Sequence, residues 1–209
     1  MQTEFDPKAY QPQFNIGFLK PKYWGTWAYV LLISMISFFP HGVRKAIVSP
    51  LVKLAMRLNS KANKRARVNL QMCFPEKSHA EREAILFKSL VTGGCYLLGY
   101  PAISLRSRRW FENNTQISGL SNLIQHTENN ENVILLIPHT WALDVPGMLF
   151  ASRGTPATTI AKKQKNEVAD WLINRQRTQY GGNIYERSAG IKPFLRSIKQ
   201  GYLGLYLPD

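Results

Sequence analysis

The spacing of apolar positions changes character along the chain. From residue 133 onward, short apolar runs alternate with stretches of helical period, the pattern of an α/β layer fold. Strands are predicted at Val133 to Ile137, Thr158 to Ala161, Asn183 to Tyr185 and Tyr202 to Leu207, with helices over Trp141 to Ser152, Lys165 to Tyr180 and Ile191 to Lys199. Upstream, Lys45 to Met72 reads as a helix whose apolar positions Ile47, Leu51, Leu54, Ala55 and Leu58 oppose a basic face. C-F-P-E-K-S closes it, and Ser78 with Glu81 three residues later forms a capping box that opens a second helix through Ala84, Phe87 and Leu90. Gly93 and Gly94 leave the end of that helix open.

Tyr23 to Val43 carries no formal charge, and its apolar part, Tyr23 to Phe39, would span roughly 26 Å as a helix, at the lower limit for crossing a bilayer. Tyr23, Trp24, Trp27 and Tyr29 crowd its first third like interfacial anchors, while Pro40 and Gly42 end it. A membrane-anchoring helix over 23–43 is therefore expected, against the alternatives of a buried or interfacial helix. Glu4 and Asp6 near the start, with no small-residue cleavage site following, argue against a cleaved signal peptide.

Charge sharpens this picture. The 27 Lys and Arg exceed the 13 Asp and Glu by 14, and eight of the cations (Arg44, Lys45, Lys53, Arg57, Lys61, Lys64, Arg65, Arg67) fall between Arg44 and Pro75 without a single acid. Such a juxtamembrane cluster is retained on the cytoplasmic side and adheres to anionic headgroups. Nucleic acid is the competing partner, but no zinc-finger, RNP or recognition-helix pattern accompanies the cluster. Two cysteines, Cys73 and Cys95, are too few for a disulfide framework and fit a reducing compartment. The expected organisation is an N-terminal cytosolic or interfacial segment over 1–22, the anchor over 23–43, a basic helical platform over 44–110 and a catalytic α/β region over 111–209. The apolar run Y-L-G-L-Y-L-P-D at the end suggests that these residues belong to a longer protein.

If the strands are parallel, their C-terminal ends share one edge, where open α/β sheets place ligands. That edge collects His139, Lys162 and Lys163, Arg187 and Asp209. His139 and Asp144 stand five apart in P-H-T-W-A-L-D-V-P-G, about 140° around a regular helix, so they meet only if His139 lies in the non-helical lead-in. A carboxylate on one imidazole nitrogen leaves the other as a base for an alcohol proton. The G-x-S-x-G that a serine hydrolase would need is absent, so is the G-x-x-x-x-G-K-[ST] phosphate loop, and His41, His79 and His126 are too scattered to suggest a metal site. A base acting directly on a substrate hydroxyl remains.

P-H-T-W-A-L-D-V-P-G, Y-G-G-N-I-Y-E-R-S-A-G-I-K-P-F and G-Y-L-G-L-Y-L-P-D resemble, in order, three motifs of the late acyltransferases of lipid A biosynthesis, within the glycerolipid acyltransferase superfamily. Y-W-G-T-W and R-A-R-V-N-L-Q-M-C-F-P-E-K-S-H-A-E-R-E-A-I resemble that family's N-terminal half, and aspartate at 144 is more similar to its myristoyl-transferring branch. The resemblance implies His139 as catalytic histidine and Asp144 as its partner, with Arg187 and Asp209 matching the arginine and acid of the later motifs. Arg187, Lys162 and Lys163 would hold a substrate phosphate. It further implies an acyl carrier protein thioester as co-substrate without another cofactor or metal, an anionic phosphorylated glycolipid acceptor, and a single-pass protein of the bacterial inner membrane facing the cytoplasm. A lysophosphatidate-type acyltransferase and an inactive lipid-binding membrane protein are the alternatives.

Overall fold

A computed structural model of the chain describes residues 6–58, 60–129 and 131–208. They form two compact units, one of Val30–Ala102 and the other of the chain up to Tyr29 and from Ile103 onward. Helix α1 (Trp24–Ser37) passes from the second unit into the first. It has 14 residues, about 21 Å against the roughly 30 Å of a bilayer's hydrocarbon core. Among the described residues no helix is long and apolar enough to cross a membrane, which corrects the expected single-pass anchor over 23–43. Two local causes shorten it. Tyr23 is buried against Phe18 and Val168, with Trp27 packed on the same cluster, so the start of the run belongs to a protein core. At the far end, Phe38 and Phe39 tighten into turn bonds to Met35 and Ile36 before Pro40.

In the Val30–Ala102 unit, α2 (His41–Arg57), α3 (Lys61–Cys73) and α4 (His79–Gly99) pack as a helical layer. The single helix expected from Lys45 to Met72 is two. The Ser60 hydroxyl caps α3 by accepting from the Asn63 N–H at 3.1 Å, and the Asn63 amide donates to the Ala55 and Leu58 carbonyls, satisfying groups that end α2. Ser78 and Glu81 form the expected capping box of α4, which continues through the glycine pair. Gly94 is where α4 meets α2: a Cβ there would lie 2.6 Å from Val48. Val48, Val91 and Cys95 form the buried seam.

The other unit adds two short helices, α5 (Ala102–Leu105) and α6 (Arg108–Asn113), then α7 (Leu120–Glu128). There follow β1 (Ile134–Leu136), α8 (Val145–Ser152), β2 (Ala157–Ala161), α9 (Glu167–Thr178), β3 (Asn183–Glu186), α10 (Lys192–Lys199) and β4 (Leu203–Tyr206). All pairings are parallel in the order β1-β4-β2-β3, with Leu135 opposite Leu205, Thr159 opposite Leu205 and Ile184 opposite Thr159. Side chains three apart on a strand face opposite sides. Accordingly Ala157 joins Ile137, Leu203, Leu205 and Leu143 in one cluster, while Ile160 packs with Tyr185, Phe194 and Ile198 in another. The sheet is covered on both faces, as parallel sheets require.

Of the N-terminal segment, expected as a cytosolic or interfacial piece, the described residues from Asp6 onward pack on this unit. Ala9 enters the Tyr185–Phe194–Ile198 cluster, the Tyr10 N–H donates to the Ile184 carbonyl at 2.6 Å, and the Tyr185 phenol donates to Asp6 at 2.7 Å. Burial and that contact push the Tyr185 phenol up to about 12, and the same bond draws Asp6 below its ordinary value.

Candidate active site

Because all four strands run the same way, the loops after them open on one edge. The Ile137 N–H extends the β1 pairing to the Tyr206 carbonyl at 2.9 Å, and the Pro138 carbonyl then accepts from the Thr140 N–H at 2.7 Å in the turn that follows. His139 is exposed on this lead-in, outside any helix, as its spacing from Asp144 required. Asp144 takes the N-cap position of α8, with Pro146 in the first turn, yet its side chain does not cap that helix. The carboxylate instead meets Arg177 from the last turn of α9. Nη2 donates to Oδ2 at 3.0 Å, and Nε approaches Oδ1 to 2.9 Å as an ion-pair contact whose N–H is not aligned for a hydrogen bond. The two side chains are 18% and 22% exposed, so the pair is sheltered but not dry.

Asp144 and Arg177 line a cavity of about 200 Å³ whose walls include Leu143, Met148, Leu205 and Leu207. Lys162, exposed just past β2, stands on its rim. An apolar recess with a fixed carboxylate and two cations at its edge suits a molecule with a hydrocarbon part and an anionic or polar part.

The neighbouring lysine goes elsewhere. Lys163 lines a separate groove with Lys20 and Lys22 from the N-terminal segment and with Glu167 and Asp170 of α9. The Tyr23 phenol donates to Glu167 and holds that carboxyl below the usual range, and Lys22 lies 4.5 Å from the Tyr23 ring centre. Tyr10 donates to Asp170, which also accepts from the Gln164 N–H at 2.6 Å and so ties the loop after β2 to the N-terminal segment. Burial, followed by the Asp170 contact, pushes the Tyr10 phenol well above its ordinary value. Arg187 opens a one-turn helix directly after β3 and is exposed. Asp209 lies outside the described residues. The structure thus brings Asp144 and Lys162 to one cavity, turns Lys163 to another groove, and leaves His139 and Arg187 exposed on strand-end loops of the same edge.

Arg177 was not marked by the sequence. A cation in the last turn of a helix reads as a complement to the helix dipole, and nothing in N-R-Q-R-T points to a carboxylate 33 positions upstream. Gly182 has a clearer signature in Y-G-G-N-I-Y: its φ is +124° and a Cβ would sit 2.5 Å from the Ala157 carbonyl oxygen, so only glycine lets β3 start beside β2 there.

The site is thus a parallel α/β layer with an exposed strand-end histidine and, at the following strand-to-helix junction, a carboxylate held by an arginine beside an apolar recess. The family model for bacterial lipid A biosynthesis acyltransferases matches residues 11–209, and the chain belongs to that family. It is 38% identical over all its 209 residues to the lipid A biosynthesis myristoyltransferase of Escherichia coli (strain K12), covering 65% of that protein. To a lipid A biosynthesis acyltransferase of Haemophilus influenzae it is 33% identical, over 96% of the chain and 63% of the relative. For the lauroyltransferase of Escherichia coli (strain K12) the figures are 25%, 95% and 64%. The chain therefore spans just under two thirds of the length of these curated relatives.

Proposed function

We propose that the chain carries the acyl-transfer site of a lipid A late acyltransferase, moving a fatty acyl group, myristoyl by preference, from acyl carrier protein to the 3-hydroxyl of an acyl chain on a Kdo-lipid A precursor. The observation that carries this reading is the strand-end His139 loop leading into an Asp144 that Arg177 holds beside an apolar recess, in a chain of this family. The myristoyl preference is supported by the 38% identity to a myristoyltransferase against 25% to a lauroyltransferase.

In the proposed reaction a ring nitrogen of His139 takes the hydroxyl proton while the oxygen attacks the thioester carbonyl. Asp144 orients the ring and stabilises the imidazolium. The tetrahedral intermediate collapses with loss of the carrier thiolate, which receives the proton from His139, so an ester C–O bond replaces the C–S bond. Lys162 and Arg187 attract the acceptor's phosphates, and the acid-free basic run from Arg44 supports a protein that works at the anionic cytoplasmic face of the inner membrane.

The test offers the protein myristoyl-carrier thioester with a Kdo-lipid A precursor in one assay and with lysophosphatidate in another. Transfer to the glycolipid is expected, and His139→Ala is expected to slow it by about 10² to 10⁴, the usual worth of a general base. Near-normal turnover of that variant, or preference for lysophosphatidate, would overturn the assignment.

A further inference from the structure

Helix α2 has two apolar faces. One, through Val48 and Val52, is covered by α4. The other consists of Val43, Ile47, Leu51 and Leu54, continued by Leu58 at the C-cap, and it is bare: Leu51, Leu54 and Leu58 are 60%, 58% and 60% exposed. At about 100° per residue these five side chains fall within about 80° of arc, a continuous stripe along the whole helix, roughly 22 Å long. Exposed Lys53 and Arg57 lie about 40° to 80° to one side, and exposed Lys61, Lys64 and Arg65 follow at the start of α3. No acid occurs between Arg44 and Pro75.

We propose that this stripe is a docking surface for an anionic lipid bilayer, with α2 lying in the plane of the interface, its leucines among the upper acyl chains and Lys53 and Arg57 at the phosphates. Four cations, Arg44, Lys45, Lys53 and Arg57, within 17 residues rule α2 out as a spanning helix. An apolar stripe bordered by cations is the arrangement that binds flat to anionic headgroups. A second copy seated face to face would bring two cation-bordered stripes together with no acid in the segment to offset them. Nucleic acid would leave the leucines uncovered. In the same unit Leu31, Leu32, Met35, Phe38 and Phe39 are also exposed, adding apolar surface of the kind a bilayer covers. The surface rests on the acyltransferase reading only in that such an enzyme meets its acceptor in a membrane; the contact itself is read from the helix.

The experiment measures flotation of the full chain with vesicles of phosphatidylcholine alone and of phosphatidylcholine with phosphatidylglycerol, with no thioester or acceptor present. Failure of acyl transfer and failure of docking are thus read separately. Binding is expected to favour the anionic vesicles, to weaken with salt, and to fall about fivefold for each of Lys53→Gln and Arg57→Gln. Leu51→Asp with Leu54→Asp is expected to lower it at least about tenfold, while the helix-melting profile, which depends on the opposite face, stays in place. Nitroxide probes attached at Ile47→Cys and Leu58→Cys in a Cys73→Ser background are expected at equal, shallow depth. A depth gradient between the two probes, flotation indifferent to all four substitutions, or vesicle-independent cross-linking of Leu54→Cys between copies would each overturn the proposal.

Discussion

Arg177→Ala removes the group that fixes Asp144. The two side chains keep about a fifth of their surface exposed, which places the pair between a solvent-screened surface contact, worth at most about 1 kcal/mol, and a buried one, whose one-sided removal costs about 3–5 kcal/mol. A stability loss of about 1–2 kcal/mol follows, a fall in melting temperature of several degrees that leaves the protein folded at assay temperature. The larger effect is expected on turnover. A released carboxylate can swing by an ångström or more, and a displacement of that size costs about 10² in rate, or about 2.7 kcal/mol. Arg177→Lys keeps the charge but loses the two-point contact, so it is expected to recover part of the rate. Single-turnover transfer from the carrier thioester, measured for Arg177→Ala, Asp144→Ala and the double variant, separates the possible roles. If Arg177 acts through Asp144, the double variant is no slower than Asp144→Ala. Multiplicative losses, or an unchanged kcat with a raised KM for the acceptor, would refute the positioning role and make Arg177 a substrate contact.

Two further perturbations test the scaffold. Gly182→Ala places a Cβ 2.5 Å from the Ala157 carbonyl oxygen at φ +124°; a cost of about 1–3 kcal/mol is expected, seen as a lowered melting temperature, and an unchanged melt would show that β3 can start without that conformation. The Arg67 guanidinium, 2.7 Å from Glu83, holds that carboxyl below the usual glutamate range. Its contribution is therefore present above the unfolded-state value and is lost as pH falls through the lowered folded-state value. Melting curves of the parent and Glu83→Gln are expected to differ at neutral pH and to converge in acid; a pH-independent difference would contradict the pairing.

The sequence alone determined the α/β class, the position of all four strands to within a residue or two, and the capping box at Ser78 and Glu81, because each is a local pattern: period, propensity or a hydrogen bond three residues long. It placed His139 in the non-helical lead-in for the same reason. Tertiary structure decided where apolar and charged side chains go. Tyr23 and Trp27 look like membrane anchors in sequence, yet they close a core with Phe18, Val168 and Trp171, because an apolar ring gains similarly from lipid and from protein, and sequence does not say which is near. Lys162 and Lys163 are adjacent in the chain but face different recesses, since both lie past the end of β2 at Ala161, in a loop whose course is set by tertiary contacts. The Asp144–Arg177 contact joins α8 to α9 across 33 residues; an ion pair carries no periodicity, and only the packing of those two helices beside the same parallel sheet brings the charges together.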